Sequence, residues 1–486
     1  MKAANIPGPR LMPAIGRTNH LLRLATDSIG YTRNLFQTYG PVVSLNFGTS
    51  IYSPLLKCPG TVFAYGPEFV RTVATQHETY YKYPLTGKLY QKRELSNRTK
   101  PLKHFLVGLF GNNSEQHRQI RQLMMPAFHK QRIESYRDDM VAITQSVLER
   151  IQIGETYDLA QVMRLLTMRV VTKTLLGYDI GDRANRIALL LQDALAIMGT
   201  PGLTLLPFDI PGLPFHRFLN SITQLDDEIE AAIAAKRAIQ TDERDLLSLL
   251  IQARDAQSGT CLTEDELLGH TGVLFFAGYE TSSNALAWTL FLLSQHPEVA
   301  AHLLDELQSV LGGEAPTVEQ LQQLPLLERV IKESLRLLPP VPWNGRVLSQ
   351  PTTFGSYDLP AGTEVLISIY QTHQIPELYP EPQLFNPHRW EGFEPTWFEY
   401  NPFSAGSRLC IGAAFAMMEI KIVLAMLLQR YRLQCIPQAR IERQGLIVMV
   451  PKYGMPMTIH KQDRHFTSSS VRGNILEMVK LPSQYV

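Results

Sequence analysis

Apolar residues recur every three to four positions over Tyr136 to Ile151, Leu159 to Leu176, Asn185 to Met198 and Ile222 to Ile239, which predicts a run of helices between Ser114 and about Leu293. The same spacing predicts one long helix from about Glu264 to Gln295, a shorter one from Val330 to about Leu338, and another from Ala413 to Arg430. β-Branched runs punctuated by Gly and Pro, at Tyr39 to Leu45 and Ile51 to Ala64, predict short strands near the start. Arg346 to Leu348 and Thr363 to Ile369 predict a second small sheet region, and Leu446 to Val450 with Met457 to His460 a late hairpin. Lys461 to Ser470 is polar and reads as loose chain. The fold class is therefore mainly α with small β-sheets.

One segment breaks the pattern. Thr200 to Phe215 is apolar but interrupted repeatedly by Pro and Gly, so it is not a regular helix. It reads either as a loop folded onto the core or as a hydrophobic surface at a substrate entrance or against a membrane.

Composition narrows the function. The 486 residues are 45% hydrophobic, with neither a low-complexity linker nor an internal repeat, which suits one large unit able to enclose a cofactor. A net charge of +1 gives no overall basic field, and no nucleic-acid partner is expected. The four cysteines form no C-x-x-C pair, which fits a reducing compartment and predicts a cytoplasmic protein. The opening residues carry neither a long apolar span nor a signal-peptide core, so no transmembrane anchor is expected.

Chemistry concentrates at Cys410. It lies in Phe403-x-x-Gly406-x-Arg408-x-Cys410-x-Gly412, five fixed residues whose chance match in this length is on the order of one in several thousand. Cys410 heads the predicted Ala413 to Arg430 helix, whose N-terminal dipole favours a thiolate. Gly406 and Gly412 permit a tight backbone path and the approach of a flat ligand to the sulfur. Phe403 covers the loop, and Arg408 reaches for an anionic group. The bland alternative is an inert buried cysteine.

Two further groupings gain meaning from their order along the chain. Gly278 interrupts an apolar helix beside Glu280 and Thr281, which marks a close approach or an opening in the helical ladder beside an acid and an alcohol. Glu333 and Arg336, three residues apart, share a helix face and form an ion pair that Arg389 joins if it is buried.

In fixed order, Ala277 to Ser282, Glu333 with Arg336, Phe385 to Trp390, and Phe403 to Gly412 resemble the cytochrome P-450 superfamily, specifically its soluble bacterial fatty-acid-hydroxylase-like members. Pro7-Gly8-Pro9 is similar to that family's entry and Gly454 to Met457 to its last strand, which implies a domain over 1–462 and a tail over 463–486. The resemblance implies a triangular prism with haem b between the long central helix and the helix after the cysteine. It makes Cys410 the metal ligand, with Phe403 and Gly412 around it, and gives His117, Arg121, Arg346 and Arg408 to the haem propionates. His117 stands where many members carry Trp.

The same resemblance gives Glu280 and Thr281 the relay of protons to dioxygen, and Glu333, Arg336 and Arg389 a structural ion network. The expected function is hydroxylation or epoxidation of an apolar small molecule (fatty acid, terpenoid or retinoid-like). Electrons would come from NAD(P)H through a ferredoxin or flavodoxin with its reductase. Leu274, Phe275, Ala277, Val341, Trp343 and Asn344 are the expected pocket wall, each equally readable as core. Arg93 and Lys103 read as solvated entrance charge. A monomer is expected, touching membrane at most through 200–215. The competing reading is a haem-thiolate ligand-binding or sensor protein without turnover.

Overall fold

Local chain chemistry sets the central element. Thr263 caps the helix α6 (Glu264–Gln295): its hydroxyl accepts from the Glu266 N–H while the Glu266 carboxylate accepts from the Thr263 N–H at 2.8 Å. From Ser282 to Gln295 every residue of α6 is buried, so this half is a core helix with no solvent face. Polar side chains there satisfy themselves locally: Thr289 donates to the Ala285 carbonyl at 2.7 Å, and the Trp288 indole N–H to the Met449 carbonyl at 3.0 Å.

The structure is a computed structural model and describes residues 6–9, 20, 22–24, 26–45, 58–83, 98–177, 182–198, 200, 202–203, 206–239, 245–254, 259, 261–445 and 447–482. The elements that frame α6 are the helices α1 (Lys100–Val107), α2 (Ser114–Met124), α3 (Leu159–Leu176), α4 (Asp182–Met198), α5 (Pro214–Ile239), α7 (Pro325–Leu337) and α8 (Ala413–Arg430). Helices α1, α3, α5, α7 and α8 all pack against α6. Gly278 lets α3 in close: a Cβ there would stand 2.9 Å from Val171 Cγ2. The helix stays α-helical through this point, so Gly278 marks a close approach and not a break in the ladder.

Five strands make the larger sheet, in the order β1 (Val42–Leu45), β2 (Thr61–Ala64), β5 (Glu364–Ser368), β4 (Trp343–Leu348), β3 (Tyr80–Tyr81). Only the β2–β5 pair is parallel. Tyr81 pairs with Val347, so the residue after β3, Lys82, arrives beside Arg346 at the sheet edge.

Two expectations about the C-terminal part are corrected. The strand Pro456–Lys461 does not form a hairpin with the preceding segment; it lies between Thr156–Asp158 and Tyr431–Cys435, while Val450–Pro451 pairs with Arg443–Gln444. Nor is the polar stretch from Lys461 to Ser470, or the described chain up to 482, loose. Asp463 accepts from Arg432 at 2.6 Å, Val471–Arg472 pairs with Ala439–Arg440, and Ile475, Met478, Val479 and Leu481 are buried in the main core. Alternating polar residues masked these four apolar anchors.

Helix α8 carries a buried acid against α6. Glu419 is wholly buried and, among the described residues, neither carboxylate oxygen has a hydrogen-bond partner of good geometry. Burial pushes its carboxyl up to about 8, opposed only by the nearby Ser282 hydroxyl of α6. Because the folded value lies above the unfolded one, this group's contribution to stability is complete below the ordinary carboxylate range and disappears as pH rises through about 8. Glu419→Gln, a neutral isostere, should therefore melt higher than the parent above pH 8, with the gap closing towards pH 5. Parallel melting profiles from pH 5 to 9 would refute this.

Candidate active site

Cys410 sits at the end of a loop shaped by two backbone constraints. Gly406 has φ +65°, and a Cβ there would come within 2.3 Å of the Ala74 carbonyl oxygen, so both conformation and space require glycine. The Cys410 N–H donates to the Phe403 carbonyl at 2.8 Å, closing the loop under Phe403. At Gly412 a Cβ would meet nothing nearer than Phe128 at 3.8 Å. The protein's own atoms therefore do not demand that glycine, which leaves room for a ligand beside the sulfur.

Cys410 is exposed although protein surrounds its thiol, which places open space inside the molecule beside it. Burial pushes its pKa up; the Gly412 N–H and the charges of Arg121 and Lys82 pull it back without cancelling the burial. This corrects the expectation from the helix dipole: the helix terminus alone does not make Cys410 a thiolate, and a bound cation has to complete the job.

Beside the sulfur stands a cluster of four cationic side chains and one imidazole, which burial and the neighbouring charges keep neutral. His117 and Arg121 come from α2, Arg346 from β4, Arg408 from the cysteine loop and Lys82 from the chain after β3. Among the described residues none of the five forms an ion pair. Arg408 donates instead to the Leu109 carbonyl at 3.1 Å, the Asn112 carbonyl and Asn113 Oδ1 at 2.7 Å; Arg346 donates to the Gly345 carbonyl at 2.7 Å and to Asn344 Oδ1. Burial and mutual repulsion hold Lys82 down to about 7 and His117 to about 3; burial depresses Arg346, and burial with Arg346 and Arg121 depresses Arg408. Such a cluster is poised for an anion that restores the balance.

Lys82 escaped the sequence analysis because it belongs to no motif. Asn113 fixes it: Oδ1 accepts from the Lys82 N–H at 2.7 Å, Nδ2 donates to the Lys82 carbonyl at 2.9 Å, and the ammonium lies 4.6 Å from the centre of the Phe110 ring. The one available signal was its place directly after a strand that pairs with the Arg346 strand.

The α6 wall has two sides. Leu274, Ala277 and Thr281 are partly open although deep in the molecule, whereas Phe275 and Tyr279 are buried with Val171 and Ile229. Ile411, next to the cysteine, packs into that same cluster and brings the loop to α6. Phe275 is thus core and not pocket wall, because it points across the helix from Thr281. Trp343 is corrected likewise: its ring meets Phe63 edge-on at 5.6 Å inside the sheet core. Val341 stays half-open, and Asn344, donating to Ser404 at 3.1 Å, ties β4 to the cysteine loop.

The Thr281 hydroxyl donates to the Ala277 carbonyl at 2.6 Å. The Glu280 carboxylate turns away towards Asn284 Nδ2 at 3.3 Å and Arg164 at 3.6 Å, with no hydrogen bond to Thr281. Lys103 pairs with Asp265 at 2.5 Å, and Arg93 lies outside the described residues.

Glu333, Arg336 and Arg389 meet as one buried network. Glu333 accepts from Arg336 Nε and Nη2, Arg389 Nε and the Asn386 N–H at 2.9–3.0 Å, and from the Trp390 indole at 3.0 Å. Arg336 also donates to the His373 carbonyl, and the His373 ring accepts the Asn401 N–H at 3.1 Å. Asn401 opens the loop that ends at Cys410, so the network anchors the sulfur through two hydrogen bonds.

A helical fold with small sheets, a thiol under a glycine-bounded loop and a cluster of cations unpaired among the described residues are what a haem-thiolate protein needs. The chain belongs to the cytochrome P450 family, whose model matches residues 6–455. It is 30% identical over 441 residues to cyclooctat-9-en-7-ol 5-monooxygenase of Streptomyces melanosporofaciens, covering 88% of this chain and 89% of that one. It is also 30% identical over 419 residues to cytokinin hydroxylase of Arabidopsis thaliana, covering 82% and 78%. The retinoic acid-bound structure of cyanobacterial CYP120A1 superposes with a TM-score of 0.80 at 25% identity, covering 94% of this chain and all of that one. The protein is accordingly a haem-binding monooxygenase, an oxidoreductase that incorporates one oxygen atom.

The residues fit haem. One thiol with space beside it can give a single protein ligand to an iron that brings its own ring of nitrogens. The four cations and the His117 imidazole suit the two carboxylates that haem carries. Lys82→Met should therefore speed haem loss to an excess of apomyoglobin by about tenfold, the value of one charged hydrogen bond. An unchanged rate would remove Lys82 from the cluster's role.

Proposed function

We propose that Cys410 is the proximal ligand of haem b, with Lys82, His117, Arg121, Arg346 and Arg408 receiving its propionates. The site then hydroxylates or epoxidises an apolar small molecule of the fatty-acid, terpenoid or retinoid-like kind. Electrons come from NAD(P)H through a separate ferredoxin or flavodoxin and its reductase. The observation that carries this reading is the convergence of four cations, unpaired among the described residues, and one neutral imidazole near one loop-held thiol. When bound, haem supplies the activation of dioxygen, and the thiolate's electron donation favours O–O cleavage.

The chain's own residues do the rest. Leu274, Ala277 and Val341 present apolar surface to the interior, which orients an apolar substrate and keeps water out. Thr281 holds a hydroxyl at that same face, its proton directed to the Ala277 carbonyl and its lone pairs free to hold an incoming proton donor. Glu280 is the acid behind it. Arg164, its partner at 3.6 Å, is partly exposed, so Glu280 exchanges protons on the α3 side, and passing one to Thr281 Oγ1 requires the carboxylate to swing away from Arg164.

Among the described residues no helix is long and apolar enough to cross a membrane. Leu206, Phe208 and Ile210 are about half exposed in succession, which supports peripheral membrane contact by this loop of a monomeric cytoplasmic enzyme. The test is coupling. Thr281→Ala should keep the thiolate spectrum yet lose about tenfold or more of product per NADPH, with peroxide rising in its place. Full coupling in that variant, measured with surrogate ferredoxin and reductase, would contradict the proton route.

A further inference from the structure

The Arg346 guanidinium is held by a neighbour on its own strand. Asn344 and Arg346 stand two positions apart on β4, so both side chains leave the same face of the sheet. Arg346 Nη1 donates to Asn344 Oδ1 and, at 2.7 Å, to the Gly345 carbonyl. Among the described residues no hydrogen-bond partner takes Nε or Nη2, although Arg346 is buried. Those two nitrogens form one edge of the planar guanidinium, an edge that fits both oxygens of a carboxylate. Asn344 therefore fixes one end of the group and leaves a carboxylate-binding edge free.

The other half of the amide reaches the cysteine loop. Arginine only donates, so Asn344 Oδ1 has to face it and Nδ2 turns the other way. There Nδ2 donates to Ser404 Oγ at 3.1 Å. Ser404 has φ +66°, a left-handed conformation that a serine keeps only when its surroundings hold it. Its N–H donates to the Asn401 carbonyl at 2.9 Å, and it directly follows Phe403, whose carbonyl accepts the Cys410 N–H. One amide thus steadies both an arginine of the cationic cluster and the turn that closes over the sulfur.

The residue type matches this double task. An aspartate at 344 would cancel the Arg346 charge and offer Ser404 no donor, and a leucine would hold neither group. A neutral side chain with one acceptor and one donor end holds both and leaves the arginine's charge intact.

We propose that Asn344 is a positioning residue that aims the Nε–Nη2 edge of Arg346 at a haem carboxylate and ties that contact to the cysteine loop. Haem retention and thiolate ligation then depend on the same amide. This rests on the haem-thiolate reading above.

The test uses haem-loaded enzyme and two readouts: the rate of haem transfer to excess apomyoglobin, and the half-life of the red-shifted carbon monoxide band of the reduced protein. Asn344→Leu should speed haem transfer about tenfold, the loss of one hydrogen bond to a charged group, and should shorten the half-life of the band. Adding Ser404→Gly, which adopts positive φ without strain, should restore the half-life while haem transfer stays fast. Ser404→Ala alone should shorten the half-life, and combined with Asn344→Leu it should shorten it no further. An unchanged transfer rate in Asn344→Leu, a half-life that Ser404→Gly does not restore, or an additive effect of Ser404→Ala would overturn the proposal. If Asn344→Leu fails to load haem, Asn344→Asp decides: its carboxylate occupies Arg346, so haem transfer should again be about tenfold faster, and a parental rate would overturn the proposal. A parent lacking the red-shifted band would overturn the haem-thiolate reading and the proposal with it, whereas a parent with the band and unaffected variants overturns the proposal alone.

Discussion

The rest of the site depends on one buried carboxylate. Glu333 holds two guanidinium groups, an indole and a backbone N–H, with no exposure of its own or of Arg336. Removing one partner from such a junction leaves an uncompensated charge in the core and costs about 3–5 kcal/mol. Its reach explains its position: Arg336 fixes His373, His373 fixes Asn401, and Asn401 starts the turn whose far end is the sulfur. An ion pair that is nearly worthless on a surface becomes a mount for a ligand.

What is mounted is an electrostatic imbalance. Four positive groups, a neutral imidazole and a thiol with a raised pKa share one interior region, and among the described residues no carboxylate pairs with them. Glu419 is held neutral by burial, and Glu280 is drawn to Arg164. A metal would settle the sulfur and carboxylates would settle the cations, and haem, the cofactor of the family, bears both.

Much of this was legible in the sequence where one physical signal dominated. The limits of α3, α6 and α8 follow from apolar spacing, because these helices are buried on most sides or end at clear caps. Cys410, Gly406 and the Glu333 network were legible because each needs a particular residue type at a fixed spacing. Phe275 and Trp343 were misread because sequence gives a residue's polarity but not which way it points: one helical step or one strand step separates pocket from core. Lys82 was missed for the converse reason: it is a single ordinary residue whose meaning arises only when another element, β4, is brought beside it. The C-terminal segment was misjudged because four apolar anchors spread among polar residues carry no periodicity.

The central claim is that Cys410 binds haem iron as a thiolate, and the most direct test is the carbon monoxide difference spectrum of the reduced protein. The account predicts the strongly red-shifted Soret band of thiolate ligation in the parent and its loss in Cys410→Ser that still retains haem. An unshifted band in the parent, or a red-shifted band that persists in Cys410→Ser, would contradict it.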